Sequence, residues 1–285
     1  MNRILKYTTL FFLFIFSINI FAFSRGIYIT QSTAQNKIKM AYLISQAKKF
    51  NIDTFVIDVN GQSKSYAASV KNVIQNGIHY VARIVIFPHG GTHAQVTDKS
   101  IWQRRLNLAK YAENLGASAI QLDYIRYRSE NPASPEKAKN ILKVVQYFKK
   151  EVSPTLLQMD IFGISTLRPA HTIGQDPASL AVAVNAFCPM VYPSHYEPFV
   201  FHSNRPYETV FNSVASLKKI LQNHPGVAIY AYIEAYNYRF FLSPTKRTQY
   251  IKAEIKAAHD AGANGWYVWS ATNHYAPLFQ ALATR

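Results

Sequence analysis

Residues 119–127 read Ala-Ile-Gln-Leu-Asp-Tyr-Ile-Arg-Tyr, a short apolar run that ends in a carboxylate, a tyrosine and an arginine. The pattern recurs: residues 54–59 read Thr-Phe-Val-Ile-Asp-Val, and residues 156–162 read Leu-Leu-Gln-Met-Asp-Ile-Phe. Such runs, when longer amphipathic stretches separate them, indicate βαβ units and a parallel sheet. Residues 119–127 therefore predict a strand with polar groups at its carboxyl end.

Outward from this strand, eight strand-like runs alternate with eight helix-like segments. The predicted strands are Gly26–Thr30, Thr54–Val59, His79–Phe87, Ala119–Tyr124, Leu156–Phe162, Ala186–Tyr192, Val227–Ile233 and Gly265–Trp269. The predicted helices cover residues 34–50, 64–76, 100–115, 135–151, 177–184, 206–222, 246–261 and 275–283. Eight units without an internal linker predict a single (β/α)8 TIM barrel, an α/β fold of about 250 residues. An open doubly wound sheet is the alternative.

The composition excludes several classes of protein. With 49% hydrophobic and 16% charged residues, the chain is neither disordered nor fibrous. Its one cysteine, Cys188, excludes a disulfide scaffold and a cysteine-rich zinc site. The sequence contains no Walker loop, no Gly-x-Gly-x-x-Gly element and no Gly-x-Ser-x-Gly elbow, so we expect neither a nucleotide cofactor nor a serine hydrolase.

The N-terminus carries the features of an export signal. Arg3 and Lys6 precede an apolar run, Leu10 to Phe23, that ends in Ala-Phe-Ser. We predict a signal peptide over residues 1–24 and the barrel over residues 25–285, with an uncleaved anchor as the alternative. The whole chain has a net charge of +16, and loss of Arg3 and Lys6 with the signal segment leaves about +14. An exported monomer this basic is expected to face anionic glycan, cell wall or lipid headgroups rather than nucleic acid. A merely cationic, soluble surface is equally compatible with that charge.

The carboxyl ends of the strands in such a barrel meet at one end, the mouth, where the loops carry the chemistry. Four carboxylates follow predicted strand ends: Asp58, Asp123, Asp160 and Glu234. Their common position indicates a site for acid–base chemistry. We expect Asp58 to lie beside the substrate, and the main alternative is a structural role in which it accepts loop N–H bonds or pairs with an arginine.

Asp123 and Asp160, on neighbouring strands, are the predicted catalytic pair. Glycosidic cleavage needs one protonated carboxyl to assist the leaving group and one ionised carboxylate that attacks or activates water. Arg126 lies close enough in sequence to keep Asp123 ionised, and the apolar neighbours of Asp160 favour its protonated form. An ordinary buried Asp–Arg contact is the structural alternative. In a further alternative, Glu234 is catalytic and Asp160 binds substrate.

Aromatic residues near the strand ends are candidates for sugar binding, because sugar rings present apolar C–H faces. We predict that Tyr192, Tyr196 and Trp269 line the site. His195 is expected to donate to a substrate hydroxyl or a carboxylate, although a lone histidine is often structural. Arg126 is included among the substrate-binding residues. The expected partner is a carbohydrate polymer, and an anionic one would suit the charge of the chain.

His89 and His93, with three residues between them, are the weakest candidates. Together with Asp58 they would suit a metal-dependent polysaccharide deacetylase. Two glycines between them favour a loop over one helical face, so we expect no metal.

Several of these segments resemble, in order along the chain, the putative glycosyl hydrolase domain family of bacterial (β/α)8 barrels. The resemblance rests on Gly-Ile-Tyr-Ile-Thr at 26–30, Phe-Val-Ile-Asp-Val at 55–59, Ala-Arg-Ile-Val at 82–85, Gln-Leu-Asp-Tyr-Ile-Arg-Tyr at 121–127, Asp-Ile-Phe-Gly at 160–163, Ile-Gly-Gln at 173–175 and Pro-Met-Val-Tyr-Pro-Ser-His-Tyr at 189–196. It covers nearly the whole chain after the signal segment. It implies a glycosidase-like barrel, often exported.

Two segments at the mouth depart from that family pattern. Residues 88–91 read Pro-His-Gly-Gly where relatives carry a Lys-Asp pair and a longer loop with a tryptophan. Residues 230–234 read Tyr-Ala-Tyr-Ile-Glu where many relatives carry Pro-Trp-Leu-Gln. We therefore expect an exported glycoside hydrolase acting on a bacterial or envelope polysaccharide, with a substrate choice of its own. The alternative from another class is a non-catalytic barrel that binds glycan or envelope through its positive charge.

Overall fold

The computed structural model describes residues 23–130 and 132–284, in which eight parallel strands close into one barrel. The strands are β1 (Ser24–Ile29), β2 (Thr54–Asp58), β3 (His79–Val85), β4 (Ala119–Asp123), β5 (Leu156–Phe162), β6 (Ala186–Met190), β7 (Ala228–Glu234) and β8 (Gly265–Trp269). Each strand pairs with its neighbours in sequence, and β8 pairs with β1. The predicted (β/α)8 barrel is confirmed, and the open sheet is excluded.

Helices surround the barrel and connect its strands. They are α1 (Gln31–Ala34), α2 (Lys37–Phe50), α3 (Lys64–Gln75), α4 (His93–Thr97), α5 (Lys99–Asn114), α6 (Pro135–Val152), α7 (Pro177–Leu180), α8 (Phe199–Ser203), α9 (Pro206–Ile220), α10 (Pro244–Asp260) and α11 (Ala276–Ala283). Short 3-10 turns cover Gly163–Thr166, Ala181–Ala183 and Pro193–His195. The prediction missed α1, α4 and α8, because a helix of one turn leaves no periodicity in the sequence.

Local capping fixes where the longer helices begin. The Ser134 hydroxyl accepts a hydrogen bond from the Glu136 N–H, and Pro135 occupies the first turn of α6. At α10 the Ser243 hydroxyl accepts from the Lys246 N–H in the same way. A capping serine followed by proline satisfies an otherwise free N–H and presets the helical backbone. The prediction placed the start of α6 correctly at residue 135 but began α10 at residue 246, two residues after its observed start at Pro244.

The interior of the barrel is aromatic and polar rather than purely aliphatic. Tyr230 and Tyr267 stack there with ring centroids 5.1 Å apart. Above them, the Tyr232 hydroxyl donates to Gln121 at 2.9 Å, and the Gln121 amide donates to Gln158 at 3.0 Å. These buried polar groups satisfy one another, so the layer can be rigid without a net penalty for burial. It forms the floor of the mouth.

The predicted signal segment lies almost entirely outside the described residues. Phe23 packs against the hydrophobic core, and the Ser24 N–H donates to the Asn264 carbonyl at 2.9 Å. Ser24 is thus the first residue of β1, so cleavage immediately after it would shorten that strand by one residue. Among the described residues, none of the helices combines the length and apolar character needed to cross a membrane.

Candidate active site

Three carboxylates at the carboxyl ends of β2, β4 and β5 converge on one guanidinium from β3. Arg83 donates from Nη1 to Asp58 and from Nη2 to Asp123. Its Nε lies 3.6 Å from Asp160 Oδ2. The carboxylates share this site because parallel register places Asp58 opposite Arg83 and Asp123 opposite Val85. The predicted meeting of Asp58, Asp123 and Asp160 at the mouth is therefore observed.

Arg83 keeps its charge despite deep burial. Burial by itself lowers the pKa of the guanidinium, but attraction to Asp123, Asp58 and Asp160 raises that pKa well above its ordinary value. The ring of Tyr28 lies 5.1 Å from the guanidinium carbon, in the geometry of a cation–π contact. A permanent positive charge therefore sits at the centre of the carboxylate group.

Asp160 differs from the other two carboxylates in its surroundings. Its side chain is almost fully buried, and its Oδ1 has no hydrogen-bond partner among the described residues. Burial and the nearby charge of Asp123 raise the pKa of Asp160 well above its usual range, and Arg83 offsets only part of this. Asp160 thus has the properties of a protonated general acid. The prediction is right in direction, but Met159 and Ile161 belong to the helix-facing core, so other groups desolvate the carboxyl.

Asp123 pairs with a different residue from the one predicted. Its Oδ1 accepts from the Tyr124 N–H at 2.5 Å, while its Oδ2 faces Arg83. Tyr124 has a φ of 51°, and this left-handed turn carries the following residues away from the strand. Arg126 consequently donates to the Tyr127 carbonyl and lies over the rings of Tyr124 and Phe162. The predicted Arg126–Asp123 pairing is wrong, and Arg126 does not line the cavity described next.

A cavity of about 720 Å³ opens above Asp123 and Asp160. Four of the predicted binding residues line it: Tyr192, His195 and Tyr196 from the loop after β6, and Trp269 from β8. Tyr192 and Trp269 stack with centroids 5.6 Å apart and planes 22° apart, which gives the cavity an aromatic wall. The volume is in the range of pockets that hold a small ligand or a few sugar units.

His195 and Tyr196 are fixed in this wall by their neighbours. Burial and the charge of Arg239 lower the pKa of His195, so the neutral imidazole is favoured. The Tyr196 hydroxyl bonds to Ser213 at 2.9 Å. Tyr196 can lie so close to the end of β5 only because residue 163 is glycine, where a Cβ would come within 2.0 Å of that hydroxyl.

Glu234, the alternative catalytic and binding residue, does not line the cavity. It is fully buried and accepts from the Ser194 N–H at 3.0 Å, the Ser194 hydroxyl at 2.6 Å and the Tyr250 hydroxyl at 2.7 Å. Burial raises the pKa of Glu234 to about 7. Both carboxylate oxygens of Glu234 hold the loop after β6, so the structure does not bring this candidate to the cavity lining.

The carboxylate of Asp58 likewise bonds to neighbouring side chains and does not line the cavity. Its Oδ2 accepts from the Tyr28 hydroxyl at 2.6 Å, and its Oδ1 pairs with Arg83. It is absent from the cavity lining, so the expected place beside the substrate is not observed. The structure agrees with the alternative role, pairing with an arginine.

The histidine pair does not assemble a metal site in the described ranges. His93 lies in the first turn of α4 with its Nδ1 3.4 Å from the Tyr127 hydroxyl, and His89 adopts a φ of 62° in the preceding loop. Within residues 23–130 and 132–284, no three His, Cys, Asp or Glu side chains are grouped as ligands. Asp58, the third member of that hypothesis, is occupied by Arg83.

Sequence reasoning missed Arg83 as a site residue. The one available signal is a lone charge in the apolar run Tyr-Val-Ala-Arg-Ile-Val, at an inward position two residues after Val81. A charge inside a buried strand is rarely tolerated without partners. A buried arginine on β3 therefore predicts carboxylates on the adjacent strands, β2 and β4, where Asp58 and Asp123 lie.

Several solved structures share this (β/α)8 barrel fold at low sequence identity. The spore cortex-lytic enzyme SleL of Bacillus cereus superposes with a TM-score of 0.65 at 12% identity, over 92% of this chain and 74% of SleL. An endo-beta-1,4-mannanase from Thermotoga petrophila superposes with a TM-score of 0.63 at 12% identity, over 92% of this chain and 75% of the mannanase. A chitinase from Chromobacterium violaceum superposes with a TM-score of 0.62 at 11% identity, over 92% of this chain and 98% of the chitinase.

The chain belongs to the "Putative glycosyl hydrolase domain" family, whose model matches residues 88–275. The matched range includes Asp123 and Asp160 and the loops that carry the aromatic wall, whereas Asp58 and Arg83 precede it. No curated protein matches the chain. The resemblance stated from the sequence is thereby confirmed, and membership of this family makes the protein a glycosidase.

Proposed function

We propose that the protein hydrolyses O-glycosidic bonds of a bacterial or envelope polysaccharide, with Asp160 as general acid and Asp123 as nucleophile or base. One observation carries this proposal: two carboxyls from adjacent strands face the same cavity in opposite electrostatic surroundings. Asp123 is paired with Arg83, whereas Asp160 is desolvated and keeps an unpartnered oxygen. Unequal carboxyls of this kind are what glycosidic cleavage requires.

The roles follow from the atoms. Asp160 Oδ1, which has no partner in the described ranges, would carry the proton and deliver it to the glycosidic oxygen as that bond breaks. Asp123, held by Arg83 and the Tyr124 N–H, would stabilise positive charge at the anomeric carbon and either attack it or activate water. Tyr192 and Trp269 would hold the sugar ring over this pair.

An anionic glycan is the substrate class that we favour. Arg168 lines the cavity, is exposed, and takes part in no ion pair among the described residues. The chain carries 31 basic and 15 acidic residues, so its surface attracts negative polymers. We also propose export as a monomer, from the basic and apolar character of residues 1–24, with attachment to a membrane surface as a further consequence of that charge.

The experiment is reducing-end release by the purified protein on a panel of polyuronate, chitosan, chitin and mannan oligosaccharides. The Asp123→Asn protein should cleave at least about 100-fold more slowly than wild type. Asp260→Asn is the matched control, because Asp260 is exposed at the end of α10, and it should cleave at the wild-type rate. Equal rates for wild type and Asp123→Asn would refute the assignment.

A non-catalytic glycan-binding barrel is the second candidate, and the ion pair between Asp123 and Arg83 favours it. A carboxylate committed to a buried guanidinium is a weaker nucleophile and base than a free one. Binding of a panel glycan without any release of reducing ends, with affinity falling as salt rises, would select this candidate.

A further inference from the structure

One side of the catalytic cavity is unlike the rest of it. Phe162, Ile164 and Leu167 line the cavity with apolar surface, in contrast to the wall of tyrosine and tryptophan side chains. We call these three side chains the apolar ledge. Their exposed fractions are 37%, 40% and 44%, which are high for large apolar side chains. Contiguous apolar surface beside a binding site marks a place where something apolar binds.

The ledge is held in its exposed position by hydrogen bonds beneath it. Thr166 donates from its hydroxyl to the Gly163 carbonyl at 2.7 Å, and the Ser216 hydroxyl donates to the Thr166 carbonyl at 2.7 Å. The Ser165 hydroxyl donates to Gln175 at 3.1 Å. The polar residues of this turn point inward and are satisfied, so Ile164 and Leu167 face the cavity as a fixed feature.

Aliphatic side chains cannot serve a sugar as an aromatic wall does. Ile164 and Leu167 offer neither a π face for C–H stacking nor a hydrogen-bond partner for hydroxyls. Further exposed apolar side chains, Val200 and Phe201, lie on α8, whose His202 lines the same cavity. Arg168 follows the ledge directly and supplies a positive charge at its edge.

We infer that the site takes a saccharide that carries an acyl or alkyl chain, with the sugar on the aromatic wall and the chain on the apolar ledge. This inference rests on the proposed function for the orientation of the sugar. It adds the chemical class of the substrate: an amphiphilic glycoconjugate rather than an unsubstituted polymer. The ledge is continuous with the cavity that holds Asp123 and Asp160, so the bond between sugar and chain, or the next one along, lies at the carboxyls.

The test compares n-hexyl and methyl glycosides of glucuronic acid, glucose, mannose and N-acetylglucosamine, below the micelle-forming concentration, by calorimetric titration of the full chain. Each buried methylene should tighten binding by up to about fourfold, so at least one hexyl glycoside should bind ten times or more tighter than its methyl counterpart. Leu167→Ser and Ile164→Ser should each lose most of that gain. Val182→Ser, which removes a still more exposed apolar side chain outside the cavity, should keep it.

Equal affinities of hexyl and methyl glycosides, or a gain that Leu167→Ser and Ile164→Ser both retain, would overturn the inference. The readout separates it from the proposed function, because binding is measured without turnover and Asp123→Asn should keep the dependence on chain length. Cleavage of a glycan with no effect of chain length on binding would support the proposed hydrolase activity and refute the role of the apolar ledge. An effect of chain length on binding without cleavage of any glycan would support the ledge and refute the hydrolase activity.

Discussion

At the scale of single residues, Arg83 determines how charge is distributed in the site. A guanidinium presents its terminal nitrogens as a planar fork, and Asp58 and Asp123 occupy that fork. Asp160 is left with the weaker approach at Nε, 3.6 Å away. Burial and the neighbouring charge of Asp123 raise the pKa of Asp160, the carboxyl with the poorest pairing to Arg83. One arginine thereby makes two identical side chains, Asp123 and Asp160, chemically different.

The pH dependence of cleavage should show this difference. An acid catalyst works only while protonated, and burial raises the pKa of Asp160 well above its usual range. The rate constant kcat/KM should therefore stay high through weakly acidic pH and fall as pH rises through that raised pKa. A pH profile from 4 to 9 is the measurement, and Asp160→Asn should lack the alkaline fall. An alkaline fall of the same position in Asp160→Asn would assign the acid elsewhere.

At the scale of elements, the loop after β6 is built by contacts that cross from β7 and α10. Glu234, at the end of β7, accepts two hydrogen bonds from Ser194 and one from Tyr250 of α10. Arg239 donates to the Ser194 carbonyl at 2.8 Å from the other side. Ser194 is the neighbour of His195, so these contacts fix the part of the aromatic wall that the loop supplies.

Replacing Glu234 by Gln should separate a positioning role from a catalytic one. The amide keeps an acceptor oxygen for Ser194 but cannot act as an acid or a base. We expect kcat to stay within about tenfold of wild type, with KM raised because the loop is less well held. Steady-state kinetics on the cleaved panel glycan would check this. A loss of kcat as large as that of Asp123→Asn would make Glu234 catalytic after all.

The sequence predicts elements better than it predicts side-chain partners. Strand ends were predictable because apolar runs of five to seven residues stop at polar groups, and parallel topology then brings Asp123 and Asp160 together. The partner of Asp123 could not be predicted in this way. The φ of 51° at Tyr124 turns Arg126 away from Asp123, and nothing local in the sequence signals that turn. The partners of Glu234, Ser194 and Tyr250, could not be predicted for a related reason, because they lie on other elements.

At the scale of the whole molecule, the barrel depends on a close approach where its last strand meets its first. Gly265 of β8 pairs with Ser24 of β1, and a Cβ at Gly265 would lie 2.2 Å from the Ser24 carbonyl oxygen. Backbone atoms cannot move aside as the end of a flexible side chain can. Closure of the sheet therefore requires glycine at this position.

In a protein that retains Ser24, Gly265→Ala should accordingly destabilise the fold by about 1–3 kcal/mol, the usual cost of forcing an extra methyl into a packed site. The free energy of unfolding from urea titration is the measurement. Gly61→Ala is the matched control, because its Cβ would meet nothing within 4 Å, and it should change stability by less than about 0.5 kcal/mol. Wild-type stability in Gly265→Ala would show that β8 and β1 pair differently.

Stability should also depend on pH through the buried acids behind β7. Glu254 of α10 is fully buried beside Glu234, and burial together with the charge of Glu234 raises its pKa well above the usual range. A carboxyl whose pKa is higher in the folded state binds protons more tightly there. Stability therefore falls as pH rises from the ordinary carboxyl value, about 4.3, towards the raised one.

We expect the wild-type protein to unfold at lower urea concentration at pH 8 than at pH 5.5. Glu254→Gln cannot ionise and should show a smaller loss across the same interval. Glu136→Gln, an exposed substitution on α6, should keep the wild-type dependence. A Glu254→Gln protein with an unchanged loss would place the pH dependence in other groups.

The catalytic assignment is tested most directly by the leaving group. On the glycan that wild type cleaves, Asp160→Asn and Asp123→Asn should both lose at least about 100-fold in kcat/KM. With a dinitrophenyl glycoside of the same sugar, whose leaving group needs no proton, Asp160→Asn should recover most of the wild-type rate and Asp123→Asn should not. Wild-type rates in both variants on the glycan, or equal loss in both on the dinitrophenyl glycoside, would contradict the division of roles between Asp123 and Asp160.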